Sequence, residues 1–262
     1  MKKLIAILMA LAMLTTAFAS CAGGGGYDDL MILDLGLERE YFGIAFRSGS
    51  DLTRMVEDIT LELINDGTLA ELSAKYEVGA VGKDDYTPKA DPCTGSGDYD
   101  YVKANGKLVI GITDYKPMDY KDENGEWTGF DAEFAKLFDE ELGVEIEFFV
   151  IANWGNKFIE LADKNIDCVW NGMTITDEGK LNASISNPYV QNKQVVVAKA
   201  DKIADIKTAA DLVDLKVAAE NGSAGQSAAS DAKVKNIIAV QDQAAALLEV
   251  KAGTSDACVI DS

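Results

Sequence analysis

Apolar residues in the first part of the chain repeat with two different spacings, which predict a strand followed by two helices. Residues 41–46 alternate in the manner of a β-strand and lead into a Ser-Gly-Ser turn. From about Asp51 the apolar positions fall on one face of a helix, namely Leu52, Met55, Val56, Ile59 and Leu63. Thr68 and Glu71 have the spacing of a capping box, which predicts the start of a second, short helix.

Strands and helices alternate after residue 97, where a stretch rich in Gly, Pro, Asp and Ser ends. The predicted strands are residues 107–112, 144–150, 166–170, 194–198, 216–219, 236–240 and 256–260. The predicted helices are residues 130–142, 157–162, 208–212 and 242–252. Such alternation implies an α/β fold with a largely parallel sheet in each of two lobes. Ligands of such folds bind at the carboxyl ends of strands, which places the site in a cleft between the lobes.

The first 21 residues have the pattern of an export signal. Lys2 and Lys3 precede an apolar run, residues 4–18, that is short for a membrane span of about 20 residues. Ala-Ser-Cys then ends at Cys21 and resembles the processing site of bacterial lipoproteins, so Cys21 is predicted to carry a lipid anchor. An ordinary cleaved signal peptide is the alternative. Both interpretations predict an exported, extracytoplasmic protein, with the glycine-rich residues 22–26 as a flexible tether.

Composition narrows the chemistry that the chain can perform. The 262 residues are 48% hydrophobic, carry a net charge of −20 and include no histidine. The negative charge argues against nucleic acid as a partner, and the lack of histidine excludes Ser-His-Asp triads and His-ligated metal sites. The spacing of Cys93, Cys168 and Cys258 fits neither a zinc site nor a disulfide framework. The sequence therefore predicts no metal and no cofactor, and Cys168 and Cys258 are expected to be buried thiols.

Five short motifs follow one another along the chain, namely Leu-Val-Ile-Gly-Ile-Thr-Asp-Tyr-Lys-Pro-Met at 108–118, Gly-Phe-Asp at 129–131, Asn-Gly-Met-Thr-Ile-Thr-Asp-Glu at 171–178, Gly-Ser-Ala-Gly at 222–225, and Asp-Ala at 256–257 with Asp261. Together they resemble the motifs of the amino-acid-binding proteins of bacterial ABC importers, the solute-binding proteins of family 3, a resemblance that implies a two-lobed type II periplasmic-binding fold. Residues 41–76 resemble the return strand and closing helices of that family. The resemblance covers nearly the whole chain after residue 26 except the linker.

The order of these segments differs from that of the family. The closing block precedes the first motif, and the linker at 79–100 would join the two ends of the parent fold. We therefore predict a circularly permuted two-lobe fold. Its segments are a tether with a lobe 2 segment at 22–40, the closing strand and helices of lobe 1 at 41–78, the remainder of lobe 1 at 101–192, and lobe 2 at 193–262. The alternative is a fragment of a tandem array or of a broken gene, with an incomplete second lobe and no binding.

The resemblance also implies the residues of a ligand site. Asp261 would bind the ammonium group of the ligand, and Tyr115 and Trp154 would sandwich its side chain, although core packing is the alternative for Trp154. Asn171, Gly172 and Thr174 would present backbone and hydroxyl groups. The further ligand-binding positions are Asp114, which flanks the cleft together with Glu220, and Ser223 and Ala224 in the glycine loop of lobe 2.

One position departs from the pattern of the family. Many members carry an arginine five positions after the loop threonine, where it binds the carboxylate of the ligand. Gly179 occupies that position here. Lys180 or backbone N–H groups would then hold the carboxylate, or the ligand is not a standard α-amino acid. Trp170, just before this loop, is expected in the core.

The function that the resemblance implies is capture of a small polar ligand, an amino acid or related amine, without catalysis. The lobes would close over the ligand about two hinge segments, residues 41–46 and 194–198, and the closed form would dock on an ABC permease. An enzyme of the lyase or dehydratase type on the same scaffold is the rival interpretation. It would need an acid and a base in the cleft, for which Asp114 and Lys180 are the candidates.

Overall fold

The computed structural model describes residues 27–37, 39–87 and 97–262. Its strands are β1 Leu30–Leu33, β2 Arg39–Phe42, β3 Ala45–Phe46, β4 Lys107–Ile112, β5 Tyr120–Lys121, β6 Trp127–Thr128, β7 Glu145–Val150, β8 Cys168–Val169, β9 Ser184–Ile185, β10 Val190–Lys199, β11 Lys216–Glu220, β12 Asn236–Val240 and β13 Ala257–Asp261. Its α-helices are α1 Leu52–Asn65, α2 Thr68–Tyr76, α3 Asp98–Asn105, α4 Phe130–Lys136, α5 Phe138–Leu142, α6 Lys157–Ala162, α7 Asp177–Asn182, α8 Ala224–Asp231 and α9 Gln243–Ala252. Short 3-10 helices are Lys83–Asp85, Trp154–Asn156, Ile203–Asp205 and Ala209–Leu212.

Lobe 1 is built on a sheet in the order β7-β4-β8-β3-β9. β4 runs parallel to β7 and β8, whereas β3 is antiparallel to β8 and β9. Helices α1, α4 and α5 contribute to its core, where the rings of Phe134 and Phe138 meet Trp170 edge-on at centroid distances of 5.0 and 5.1 Å. Trp170 is fully buried, which confirms that it is a core residue.

Lobe 2 is built on a second sheet in the order β1-β10-β13-β11-β12. β11 is parallel to β12 and β13, and β10 is antiparallel to β13 and β1. Successive side chains of a strand point to opposite faces, so Val196 packs in one core cluster with Ala229 of α8 and Val197 in the other with Ala246 of α9. Helices therefore cover both faces, as expected for an α/β fold with parallel strands.

Two backbone segments run between the lobes and correspond to the predicted hinge. β10 is continuous over ten residues; its first part pairs with β2 and its last part with β1 and β13. The segment predicted as one strand at 41–46 is divided into β2 and β3 around Gly43. A Cβ at Gly43 would lie 2.8 Å from side-chain atoms of Ile175 and Ile185, so only glycine fits where the chain enters lobe 1.

Three local features differ from the sequence-based expectations. The helix predicted at 130–142 is divided into α4 and α5 at Leu137. The prediction of a capping box at Thr68 is wrong, because Gly67, with a left-handed φ of 92°, is the N-cap of α2. The backbone N–H of Thr68 instead donates to the side chain of Asp66 at 2.9 Å. Helix α3 was not expected, and it begins in the last residues of the proposed linker.

Elements from residues 41–78 pack with elements from residues 101–192 in lobe 1. β3 lies between β8 and β9, and after α2 the chain stays on lobe 1 through a hydrogen bond from Val81 N to Tyr189 O of 2.9 Å. The permuted order itself stays a prediction. Cys21, the tether at 22–26, Cys93 and the linker residues 88–96 lie outside the described residues.

Two further findings concern thiols and membrane spans. Cys168 and Cys258 are buried and free, which agrees with the expectation from their apolar sequence context. In the ranges that the structure describes, none of the helices combines the length and the apolar character needed to cross a membrane.

Candidate functional site

The carboxyl ends of four strands, two from each lobe, meet at the boundary between the lobes. β4 and β8 of lobe 1 end just before Thr113 and Trp170, and β11 and β13 of lobe 2 end at Glu220 and Asp261. A cavity of about 250 Å³ lies between the lobes and is lined by the loops that follow β8 and β11, whereas Tyr115, Glu220 and Asp261 are not among its lining residues. Its lining includes Trp154, Lys157, Met173 and Thr174 from lobe 1 and Gly222, Ser223 and Ala224 from lobe 2.

The two lobes touch at one edge of this cavity. Asn221 donates a side-chain hydrogen bond to Asn153 across the boundary at 2.8 Å. A Cβ at Gly222 would lie only 2.5 Å from Gly155 Cα, so the two backbones approach closely because Gly222 has no side chain. The contact shows that the two lobes are closed over the cavity at this edge.

Asp261 is half-buried at the end of β13 and accepts hydrogen bonds from three side-chain amides. Its Oδ1 accepts from Asn192 at 2.5 Å and from Gln194 at 2.6 Å, and its Oδ2 accepts from Gln243. Burial raises the pKa of Asp261 to about 6, and the amide donors partly offset that effect. The carboxyl group is therefore fixed by neutral donors and keeps its capacity to attract a cation.

Glu40 in β2 connects this carboxyl network to lobe 1, a role that the sequence did not indicate. Its Oε2 accepts from Gln194 of β10 at 2.8 Å and from the hydroxyl of Thr174 at 3.2 Å. Thr174 itself lines the cavity. The network thus runs from the hinge strands into the proposed ligand loop. The residues that Glu40 contacts are more than 130 positions away from it in the sequence.

Tyr115 and Gly172 fit against each other in lobe 1. Gly172 has a φ of +54°, and a Cβ there would lie 2.7 Å from Tyr115 Cε1, so both the conformation and the packing require glycine. Its N–H donates to Asp131 of the Gly-Phe-Asp motif at 2.6 Å, and Tyr189 donates its hydroxyl to the same carboxyl oxygen at 2.8 Å. Burial raises the pKa of Asp131 to about 7. Asp131 therefore positions the loop under Tyr115.

Asn171 uses its side chain within lobe 1, and its expected contribution of backbone groups to a ligand stays a prediction. Its side-chain oxygen accepts from Thr113 N at 2.8 Å, and its amide donates to the Thr113 hydroxyl at 2.9 Å. Both side-chain groups are thus used inside lobe 1, where they tie the end of β4 to the end of β8. Asn171 positions the ligand loops and has no side-chain group directed to a ligand.

Trp154 and Lys157 form the lobe 1 wall of the cavity. Trp154 is buried, and the Lys157 ammonium lies 4.9 Å from the centroid of its ring. Lys157 donates to the carbonyl oxygen of Gly222 in lobe 2 at 3.1 Å. Burial lowers the pKa of Lys157 to about 8, although the negative charge of Glu220 acts to raise it. The sequence did not indicate Lys157, since nothing in its local spacing distinguishes it from a surface lysine.

Ser223 and Ala224 begin helix α8 on the lobe 2 side. Ser223 is the N-cap, and its hydroxyl accepts from Gln226 N at 3.1 Å. Both residues line the cavity. The first turn of α8 therefore brings the positive end of a helix dipole to the cavity, which Lys157 also lines.

Glu220 and Asp114 differ in their surroundings, although both were expected at the cleft. Glu220 is only 4% exposed, and burial, together with Asp261 and Asp242, raises its pKa to about 8. Asp114 is exposed. Its pKa is raised, mainly by partial desolvation and to a lesser extent by the negative charge of Asp242. Glu220 is therefore the buried acid of the cleft, whereas Asp114 lies at its surface.

Lys180 does not reach the cavity. It is exposed on α7, and its ammonium pairs with Asp177 at 3.1 Å. Gly179 is buried, and a Cβ there would lie 3.1 Å from Ile185 and 3.5 Å from Phe158, so these side chains occupy the space beside it. Of the alternatives given for the carboxylate, Lys180 is the one that the cavity lining does not support, since Lys157 and not Lys180 lines the cavity.

The described residues include no group of three or more acidic or cysteine side chains arranged to hold a metal ion. The donors around Asp261 and Glu220 are amides, hydroxyls and one ammonium group. Such a set is suited to a polar organic ligand.

Comparisons with known proteins agree on one family. Residues 108–257 match the model of the bacterial extracellular solute-binding proteins, family 3. The L-cystine-binding protein TcyJ of Escherichia coli (strain K12) is 37% identical over 118 residues, which are 44% of each chain. Cyclohexadienyl dehydratase of Pseudomonas aeruginosa is 30% identical over 110 residues, which are 42% of this chain and 41% of the dehydratase. The match thus spans less than half the length of these curated relatives.

Among solved structures, the ancestral amino acid-binding protein AncCDT-1, a precursor of cyclohexadienyl dehydratase, aligns with a TM-score of 0.59. It is 38% identical, and the alignment covers 62% of this chain and 73% of that protein.

Proposed function

The chain belongs to the bacterial extracellular solute-binding proteins of family 3, and we propose that it captures an amino acid or a related amine between its two lobes. The supporting observation is the convergence of four strand ends, the half-buried carboxyl group of Asp261 and the buried one of Glu220 at the lobe boundary that also holds an interlobe cavity. At about 250 Å³ the cavity lies just below the usual range for drug-sized ligands of about 300–1,000 Å³. A ligand as small as an amino acid suits that volume.

The two ends of such a ligand would meet opposite charges. Asp261 would take its ammonium group, with Tyr115 and Trp154 as aromatic walls. Its carboxylate would face the Lys157 ammonium and the first turn of α8 at Ser223 and Ala224. Thr174 would offer its hydroxyl oxygen as an acceptor, and Gly172, whose N–H is taken up by Asp131, would hold Tyr115 in position. This arrangement provides a cation for the carboxylate without the arginine that Gly179 replaces.

Membrane attachment and transport complete the proposal. Cys21 would be lipidated after cleavage of residues 1–20, so that the protein stays anchored to the outer side of the cell membrane. The closed form would pass its ligand to an ABC permease. The circularly permuted order belongs to the same proposal, since lobe 1 contains β3, α1 and α2 from the segment that precedes β4.

One observation favours a second candidate, a lyase or dehydratase. Glu220 and Lys157 interact electrostatically in the cleft, and burial shifts the pKa of each to about 8. An acid and a base with pKa values near neutrality are what proton abstraction requires. The pair replaces Asp114 and Lys180 as the candidates for this chemistry. Recovery of a bound ligand unchanged after long incubation would argue against it.

A thermal-shift screen tests the proposed function. The chain without residues 1–21 is melted with each amino acid, with cystine and with small amines. A ligand at about 100 times its dissociation constant adds about 2.7 kcal/mol to the free energy of unfolding. For a chain of this size we expect Tm to rise by about 5 °C or more. A cooperative melt that no compound shifts would contradict the proposal.

A further inference from the structure

Glu220 is a buried carboxyl group with an oxygen that has no hydrogen-bond partner. It ends β11 at the boundary between the lobes and is 4% exposed. Its Oε1 is buried and without a partner among the described residues. An unpaired buried carboxylate is strongly unfavourable, and natural proteins rarely retain one without a use.

The charged groups around Glu220 do not compensate it. Asp261 of β13 and Asp242, the N-cap of α9, both lie close enough to raise its pKa, and the hydroxyl of Thr113 lowers it. Lys157 of α6 is the cation that acts on it, but its ammonium already donates to the carbonyl oxygens of Trp154 and Gly222 at 3.4 and 3.1 Å. This part of the cleft is therefore net negative.

We propose that Glu220 selects a ligand with a second positive group, an amino, amidino or guanidino group at the end of its side chain, in addition to the ammonium group held by Asp261. This inference rests on the proposed function and narrows its substrate class to dibasic amino acids and related diamines. A cationic donor would give the unpaired oxygen a charge-assisted hydrogen bond. An apolar side chain such as that of norleucine would leave the oxygen unpaired, and a neutral N–H donor such as the ureido group of citrulline would pair it without the contribution of a positive charge.

The first test compares ligands that have nearly the same shape and differ in charge. Isothermal titration calorimetry measures the affinity of the protein for L-arginine against L-citrulline and for L-lysine against L-norleucine. We expect the charged member of at least one pair to bind about 10- to 100-fold more tightly. Equal affinities within both pairs would overturn the inference and leave the proposed function intact. Binding of no amino acid at all would instead contradict the proposed function.

The second test uses Glu220→Gln, which keeps the shape of the side chain. We expect this variant to lose the preference for the charged ligand while its affinity for citrulline or norleucine is unchanged. An equal loss for all ligands would mean that Glu220 assists Asp261 with a single ammonium group, and the inference would fail. Glu62→Gln, an exposed glutamate of α1 in lobe 1, is the matched control and should leave every affinity unchanged.

Proton release provides an independent readout that needs no variant. Because the pKa of Glu220 is about 8, the carboxyl is mostly protonated at pH 7, and a bound cation favours its ionised form. We expect arginine binding at pH 7 to release a proton, measured by calorimetry in two buffers of different ionisation enthalpy, and citrulline binding to release markedly less. Lys157, Asp261 and Asp242 face the same region, so the arginine signal must also disappear in Glu220→Gln. Equal release with both ligands would contradict the inference.

Discussion

At the scale of single residues, the carboxyl group of Asp261 is held in a fixed orientation by groups that do not neutralise its charge. Asn192, Gln194 and Gln243 hold its carboxyl group in place, yet all three are neutral donors. Hydrogen bonds from amides fix the direction of the carboxyl oxygens without supplying a positive charge. A cationic ligand group can therefore gain the full electrostatic interaction at a site that needs little rearrangement.

Asp261→Asn should abolish tight binding and leave the fold intact. The substitution keeps the size of the side chain but removes the charge, so we expect affinity for an amino acid to fall by about 100-fold or more. Calorimetry measures the affinity, and circular dichroism checks the fold. Asp201→Asn, at an exposed turn of lobe 2, is the control. Unchanged affinity in Asp261→Asn would remove Asp261 from the site.

The residue scale also shows what the sequence could and could not predict. Tyr115, Gly172 and Asp261 lie in short motifs, and local pattern placed them at strand ends that converge in the fold. Glu40 and Lys157 were missed because their partners are distant in sequence, at Gln194 and Gly222. The side-chain contact of Asn171 with Thr113 was not predicted either, because the two residues meet only through the pairing of β4 with β8.

At the scale of elements, the closed contact between the lobes depends on two glycine-containing loops. The loop after β11 meets the loop before α6, and Gly222 approaches Gly155 without a side chain between them. β10 and the β2–β3 segment connect the lobes on the hinge side. Their division at Gly43 could not be read from the apolar pattern, because it follows from crowding by Ile175 and Ile185.

Gly222→Ala should hinder closure and weaken ligand binding. The added Cβ would lie 2.5 Å from Gly155 Cα, and we expect affinity to fall by about tenfold because only the closed form suffers the clash. Gly253→Ala is a matched control, since it has a similar left-handed φ of 76° in lobe 2 and its Cβ would meet only Lys199 Nζ at 3.7 Å. Both variants carry the same backbone strain, so urea unfolding should give similar losses of stability. Equal affinities in the two variants would contradict this account of closure.

At the scale of the whole molecule, buried carboxyl groups make stability depend on pH in an unusual direction. Burial raises the pKa of Asp261, Asp131 and Glu220 to about 6, 7 and 8. In the unfolded chain such groups titrate near 4. Between about pH 4 and 8 the folded state therefore binds more protons than the unfolded state, and the free energy of unfolding falls as pH rises.

The protein should accordingly melt at a higher temperature at pH 5 than at pH 8. Each unit of pKa difference corresponds to about 1.4 kcal/mol, and the three groups together span about six units between pH 5 and 8, so the change in stability should reach several kcal/mol. Differential scanning calorimetry across the range measures it. Glu220→Gln should reduce the slope between pH 6 and 8, because it removes the group with the highest pKa of the three. A melting temperature that rises with pH would contradict the conclusion that desolvation raises the pKa of these three carboxyl groups.

The position of Trp154 has an optical consequence. The chain contains three tryptophans, Trp127, Trp154 and Trp170. Trp170 is sealed in the aromatic cluster of lobe 1, and Trp127 packs against Phe148 in the same lobe. Only Trp154 lines the cavity, with an ammonium group 4.9 Å from its ring centroid. Its emission should change when a ligand enters or the lobes move, so the unlabelled protein would report its own occupancy through fluorescence.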